Sequence, residues 1–297
     1  MLSVLIPLRN WNPCSLVETL AGQLIKSGAP FEILISDDSD PVNSQPILQE
    51  LRKVHGVICY SRNIPLGRSA NRNFLATRAK YEYLLFIDGD AGCDTEHFIE
   101  NYLDKLNPAN VLCGGTLYQQ EPPDNPELIL RWKYGRSREQ TTADQRQKHP
   151  WKSFSTFNFL IPSAVFNKIR FDESVKGYGH EDTIFGVHLH LSGVNIVHLN
   201  NGLLHLGLEP CTSYLEKIRE SGTNLRSLAS RNAFPETYSE EISLLNSWIR
   251  LKKLGLTSLM ATWFKYRRKS IEKRLCGPDP SLLLLDLYKL GSISSID

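Results

Sequence analysis

Asp88-Gly89-Asp90 sets two carboxylates one residue apart, directly behind the apolar run Tyr83-Leu84-Leu85-Phe86-Ile87, and so at the mouth of a buried strand. Two hard oxygen donors suit Mg²⁺ or Mn²⁺. Such a cation can bridge a diphosphate and neutralise the charge that grows on a departing nucleotide. Gly89 between them lets the backbone come close to a ligand. A triplet of this kind also occurs in ordinary loops, so the strand end carries the reading. Farther along, Gly177-Tyr178-Gly179-His180-Glu181-Asp182 is a glycine-flanked loop running into a helical pattern. A carboxylate there can take the proton of an attacking hydroxyl. The plainer alternative is that Glu181 and Asp182 favour the positive end of a helix dipole. His205, in Gly202-Leu203-Leu204-His205-Leu206, can lend an imidazole to a metal or serve as a hydrogen-bonded core residue. His188, His190 and His198 have no comparable setting and read as structural.

The elements that must position these groups alternate. From residue 2 to about residue 117, short apolar runs are separated by helical patterns, the signature of a mostly parallel sheet covered by helices. Strands are expected over Ser3–Leu8, Phe31–Ser36, Val57–Ser61, Tyr83–Asp88 and Val111–Leu117. Ser15-Leu16-Val17-Glu18 reads as a capping box opening a helix that Gly28 closes, and Gly67 to Ala79 carries a second helix. Right-handed crossovers put the strand C-termini on one edge, where ligands of such sheets bind. Those ends are polar: Pro7-Leu8-Arg9-Asn10, Asp37-Asp38-Ser39-Asp40 and Asp88-Gly89-Asp90. Gln119 to Trp151, rich in Pro, Asp, Gln, Arg and Lys with weak periodicity, reads as a long mobile excursion beside the acceptor. A strand over Phe154–Ile161, a helix from about Glu181 to Leu191 ended by Ser192-Gly193, and a strand over Asn195–Leu199 complete the site.

With 41% hydrophobic residues in 297, the chain can bury a substantial core: one large α/β domain, 1–237, and a helical basic extension, 238–297. A net charge of +2 excludes the broad basic surface of a nucleic-acid binder. The charge is segregated all the same. Arg250 to Arg274 holds nine Lys and Arg against the single Glu272, a local +8 that leaves −6 for the remainder. Trp248, Leu251, Leu254, Leu256, Leu259, Trp263 and Phe264 interleave with those cations, a composition suited to an anionic membrane surface as well as to a solvated helix face. Six cysteines without a C-x-x-C pair fit a reduced, cytoplasmic chain, peripheral at most to the inner face of a membrane. The chain enters an apolar run at once, so no leader is expected, and no run has the length of a membrane span.

The constellation resembles the family 2 glycosyltransferases. The resemblance rests on Ser3-Val4-Leu5-Ile6-Pro7, Ile35-Ser36-Asp37-Asp38-Ser39, Asn63 through Gly67 to Arg72-Asn73, Phe86-Ile87-Asp88-Gly89-Asp90, and Phe171-Asp172-Glu173 through Glu181-Asp182. It covers roughly residues 2 to 205 and implies the GT-A nucleotide-diphospho-sugar transferase fold, Rossmann-like, with helices flanking the sheet. It also implies a nucleotide-sugar donor, preferably UDP-linked, a glycan or lipid-linked acceptor in polysaccharide or glycoconjugate synthesis, and inversion at the anomeric carbon. Asp38 would meet the base and Asp88 the ribose or metal, with Pro7, Arg9, Arg72 and Gly89 also on the donor side. Asp90 and His205 would join the metal, Tyr178 and Glu181 would face the acceptor, and Asp182 would be the base. The Gly-Tyr-Gly-His-Glu-Asp stretch is similar to the Gly-Trp-Gly-x-Glu-Asp loop of galactosyl- and N-acetylgalactosaminyl-transferring relatives. Tyr178 replaces tryptophan there, and Leu8-Arg9-Asn10 stands where the family usually has Thr-Tyr-Asn. The rival from another class is a non-catalytic nucleotide-sugar or carbohydrate binder of the same shape. A nucleotidyltransferase ranks behind it, because Pro7 to Pro13 lacks a glycine-rich phosphate loop.

Overall fold

The central apolar runs become strands because each buries side chains on both faces of a helix-covered sheet, where alternation with polar residues is not needed, whereas Val57–Ser61 at the sheet edge stays half exposed. The computed structural model describes residues 1–175 and 177–296. Its strands are β1 (Leu2–Leu8), β2 (Phe31–Asp37), β3 (Val57–Ser61), β4 (Tyr83–Ile87), β5 (Ala91–Gly92), β6 (Asn110–Cys113), β7 (Thr116–Leu117), β8 (Asn158–Pro162), β9 (Asn195–His198) and β10 (Leu203–His205). Seven of them form one sheet in the order β3-β2-β1-β4-β8-β6-β9. Most pairings are parallel, but β8 runs antiparallel to both β4 and β6. A small second sheet, β5-β10-β7, sets Ala91 opposite His205.

Two compact units divide the chain. The first joins Met1–Tyr118, Gln140–Ser174 and Glu181–Gly207; the second joins Gln119–Glu139, Val175–His180 and Leu208–Asp297. In the first, Leu2, Val4, Ile6, Ile33, Leu85 and Leu160 of the sheet pack with Val17, Leu20 and Leu24 of the helix Cys14–Ser27. Gly28 ends that helix at φ 69, as its position suggests. The capping box at Ser15 does not form. The helix starts at Cys14, whose N–H is held by Asn12 Oδ1 at 3.0 Å, so Ser15 already lies inside the first turn.

Other expectations need correcting as well. The strand foreseen over Val111–Leu117 is broken by Gly114-Gly115, with Gly115 at φ 93, so that β6 and β7 join different sheets. The excursion from Gln119 to Trp151 is largely structured: Pro126–Leu128 is a 3₁₀ turn, Ile129–Tyr134 an α-helix continued by a π turn over Gly135–Glu139, and Ala143–Gln147 a helix with a capping box from Thr142 and Gln145. Within that stretch Arg146, 7% exposed, donates to the carbonyls of Gly114, Thr141 and Leu199 and to His198 Nδ1. His198 is therefore structural, and burial holds its pKa below the usual histidine value.

The second unit is helical. Cys211–Ser230, Thr257–Leu275 and Leu282–Ser294 pack around Tyr214, Leu215, Ile218, Phe264, Ile271, Leu275, Leu285 and Tyr288. Residues 238–297 belong to it, but so do Gln119–Glu139 and the helix Cys211–Ser230, which sequence reading grouped with the α/β domain. No described helix is long and apolar enough to cross a membrane. The expectation that all six cysteines are reduced is overturned, for Cys211 and Cys276 form a disulfide with Cα atoms 5.4 Å apart, 65 residues apart in sequence. In the oxidised protein, replacing both by serine is expected to lower the unfolding free energy by about 4 kcal/mol, the chain-entropy scale for a loop of 65 residues. The readout is the denaturant midpoint of the helical unit, and an unchanged midpoint contradicts the bridge.

Candidate active site

β2, β1 and β4 run parallel and end on one edge, and β8, coming the other way, begins there. At the end of β2, Asp38 is buried. Its N–H donates to the Leu8 carbonyl at 2.9 Å, while Oδ2 accepts from Gly67 N–H at 2.9 Å and Oδ1 faces Arg62 Nη1 at 3.5 Å. Gly67 has φ 86, a backbone state open chiefly to glycine, and this aims its N–H at the carboxylate. Arg62 also donates to Ser36 Oγ and lies 3.9 Å over the Phe74 ring.

The helix Arg68–Arg78 places Arg68 and Arg72 four residues apart on one face. Arg72 is 2% exposed. Its Nη2 donates to Asp88 Oδ1 at 2.7 Å, and its Nη1 stands 3.8 Å from Glu181 Oε1; Arg68 Nη1 is 3.6 Å from the same oxygen. Asp88 is fixed through its backbone too, donating N–H to the Phe157 carbonyl at 3.0 Å. Burial raises the Asp88 pKa, and Arg72 offsets part of that rise.

Glu181 and Asp182 open the helix Glu181–Leu191. The helix is anchored from below by Phe185, which stacks on Phe171 at 4.2 Å and packs against Phe159 and Phe166. Phe171 is in turn held by Asn73, which accepts its N–H at 3.1 Å and donates to its carbonyl at 3.0 Å. Asp182 Oδ1 accepts the Thr183 N–H at 2.7 Å. Its pKa is pushed up to about 6, first by burial and then by the negative charge of Glu181.

Asp90 and His205 form a second cluster. Oδ2 of Asp90 lies 3.4 Å from His205 Nε2, and the register of β5 with β10 enforces the approach, since Leu206 N–H also donates to the Asp90 carbonyl at 3.0 Å. Burial works to raise the Asp90 pKa, but contact with His205 holds it below the ordinary aspartate value. Among the described residues no group of three or more His, Cys, Asp and Glu converges as a metal cage, and Asp88 is engaged by Arg72. The fit of a divalent cation is tested by the pair alone. Adjacent ligands about 2.1 Å from a metal stand about 3 Å apart, close to the observed separation, and carboxylate with imidazole is a donor set that Mn²⁺ accepts.

The remaining foreseen residues fall as follows. Gly89 comes close to protein, since a Cβ there would lie 2.8 Å from Leu8 Cδ1 and 3.4 Å from the Pro7 carbonyl. Pro7 lies within β1 opposite Ser36, and Arg9 is exposed just beyond the strand. Glu181, foreseen on the acceptor side, is buried and turned to Arg68 and Arg72. Tyr178 belongs to the second unit, where its carbonyl accepts from Asn224 at 2.9 Å. Sequence reading missed Arg62, Arg68 and Gly207. The four-residue spacing of Arg68 and Arg72 was a usable signal. A Cβ on Gly207 would overlap the Asp90 carboxylate, and only its place two residues after His205 pointed to it.

Fold and edge together define a GT-A glycosyltransferase. Solved structures share the fold: residues 1–349 of S. aureus TarS at TM-score 0.52 and 16% identity, covering 99% of this chain and 88% of that one, and the mannosyltransferase PcManGT of Pyrobaculum calidifontis, solved with GDP-Man and Mn²⁺, at TM-score 0.53 and 10% identity, covering 97% and 85%. Residues 3–170 match the model of glycosyl transferase family 2, and the chain belongs to that family. It is 24% identical over 256 residues to a hyaluronan synthase of Pasteurella multocida, covering 75% of this chain and 26% of that one, so it spans about a quarter of that relative's length.

Removing the central cation should expose the cost of the buried carboxylates. Arg72→Met leaves Asp88 and Glu181 without their shared partner and is expected to destabilise the first unit by about 3–5 kcal/mol. Denaturant unfolding checks this, and a loss under about 0.5 kcal/mol, the scale of surface changes, would show that the network is not structural.

Proposed function

We propose that the chain transfers a sugar, with inversion, from a nucleotide-sugar, preferably UDP-linked, to a hydroxyl of a glycan or lipid-linked acceptor. The observation that carries this reading is the convergence on the strand-end edge of a half-buried Asp182, its neighbour Glu181 ion-paired with arginines 68 and 72, and the Asp90–His205 pair. A base with a pKa near neutrality is ionised at working pH yet basic enough to draw a proton from an attacking hydroxyl. Asp38, oriented by Gly67 and Arg62, accepts from the N–H of a nucleobase. Arg72 Nε and Nη1 make no hydrogen bond among the described residues, Nη1 being held only by its 3.8 Å ion pair with Glu181, and this head group is the donor we assign to a phosphate oxygen. Asp90 and His205 are the residues that would hold Mn²⁺ or Mg²⁺, and Asp88 borders them. When bound, the cation supplies charge neutralisation for the nucleoside diphosphate leaving group. The GDP-Man and Mn²⁺ in the PcManGT structure support this donor and metal class.

Donor hydrolysis and transfer across UDP-, GDP- and dTDP-sugars, with Mn²⁺, Mg²⁺ or EDTA, test the reading. Chelation and Asp90→Ala should each abolish turnover. Asp182→Asn should lower transfer about 10²–10⁴-fold while donor binding persists. A wild-type rate in that variant removes Asp182 from the mechanism, and absence of donor binding by the wild type favours a non-catalytic role.

Asp182 also sets the pH dependence. Its carboxyl must be ionised to act, so kcat is expected to fall as pH drops through about 6, with the inflection absent from the residual activity of Asp182→Asn. The same raised pKa means that the folded state holds this proton more tightly than the unfolded chain. Its stabilising contribution is therefore present at low pH and lost as pH rises through about 6.

A further inference from the structure

The second unit contains a cavity of about 860 Å³ bordered by the helices Ser243–Lys253 and Thr257–Leu275 and by the end of Leu282–Ser294. Arg226, Lys252, Lys265 and Arg268 line it, and no acidic side chain does so among the described residues. Thr257, Ala261, Lys265 and Arg268 recur at helical spacing, so one face of the long helix forms a wall. The first turn of that helix, at Thr257 and Ser258, also borders the cavity and has no side-chain cap, which leaves the positive end of a 19-residue helix facing it.

The cations are only partly engaged. Arg268 Nε is 3.7 Å from Glu272 Oε1, Arg226 donates to the Ile296 carbonyl, and Arg226 and Lys252 stand 4.9 and 5.3 Å from the Trp248 ring. Trp248 also lines the cavity, and its buried Nε1–H has no acceptor among the described residues. Four cations, a helix N-terminus and an unused indole donor call for an anion with several acceptor oxygens.

Beside the cavity, the turn between the two helices and the first turn of the second expose apolar side chains. Leu254 is 70% exposed, Leu256 40% and Leu259 67%. The site is an open groove, for Lys252, Ser258, Lys265 and Arg268 along it are exposed, so it can admit a headgroup whose remainder stays in the interface. We infer that the cavity binds the phosphate and polar headgroup of an anionic lipid, with Leu254, Leu256 and Leu259 entering the interface. The occupant follows from charge complementarity together with the apolar rim. A soluble phosphate ester satisfies the cations but leaves those leucines in water, whereas a bilayer surface satisfies both. The inference concerns the helical unit alone and holds whatever sugar the first unit transfers.

The test uses the full chain at low salt, with vesicles of phosphatidylglycerol and phosphatidylcholine, vesicles of phosphatidylcholine alone, and calorimetry with glycerol phosphate. Wild type should co-sediment with the anionic vesicles only and bind glycerol phosphate. Lys252→Glu/Lys265→Glu should lose the glycerol phosphate signal and at least about tenfold in vesicle partition. Leu254→Ser/Leu259→Ser should keep glycerol phosphate but lose vesicles. Lys269→Glu/Lys273→Glu, on the same helix outside the cavity, controls for diffuse attraction and should keep glycerol phosphate binding. All these positions are exposed, so folding is preserved, and donor hydrolysis should be unchanged in each. The inference is overturned if the cavity pair behaves as wild type, if both lysine pairs lose vesicle binding equally while glycerol phosphate never binds, or if wild type takes glycerol phosphate yet ignores anionic vesicles. The last outcome would mark the site as one for a soluble phosphate ester.

Discussion

Arg72 buries a guanidinium that no protein interior accepts without partners, and the reactive edge is arranged around that demand. Asp88 answers it from the end of β4 and Glu181 from the start of a helix nearly a hundred residues later, so one cation ties together three elements that meet nowhere else in sequence. The aromatic layer below, from Phe86 through Phe159 and Phe171 to Phe185, keeps water out and so makes the ion pairs both strong and obligatory. The proposed base inherits its character from this setting. Asp182 sits next to Glu181 in the same poorly solvated region, and burial plus a neighbouring negative charge is a general route to a carboxylate that titrates near neutrality.

Arg146 solves a different problem with the same side chain. Around the step from the large sheet to the small one, a guanidinium supplies donors to the carbonyls of Thr141 and Leu199 and a second donor to that of Gly114, which also accepts the Asn201 N–H. Gly115 must be glycine on two counts, a positive φ and the Arg146 head group within 2.7 Å of where a Cβ would stand. Together they aim β7 and β10, and through β10 they set His205.

Much of this was legible before any coordinates. Buried parallel strands announce themselves as unbroken apolar runs, and the polar residues behind Leu8, Ser36 and Ile87 marked the edge where the carboxylates gather, because nothing in the core needs carboxylates there. The helix Glu181–Leu191 was visible from its acidic start and its Ser192-Gly193 stop. What escaped had a physical reason in each case. The stretch from Pro126 to Glu139 mixes 3₁₀, α and π turns, and so shows no single period. Ser15 failed as a cap because Asn12 reached the first free N–H sooner. Arg62 and Gly207 act through space on Asp38 and Asp90, and a disulfide between Cys211 and Cys276 depends on helix packing that spacing alone does not encode.

The reversed direction of β8 has a consequence for the order of events as the chain folds. β1 to β4 can pair by the time residue 87 has appeared, each crossover closing a short loop. Asp88, however, finds its backbone acceptor only when Phe157 arrives from the opposite direction, and Asp90 meets an imidazole only at His205. Contacts so distant along the chain form slowly. The scaffold is therefore an early product of folding and the chemistry a late one, so a nascent chain can be well folded over its first hundred residues while its reactive edge is still unmade.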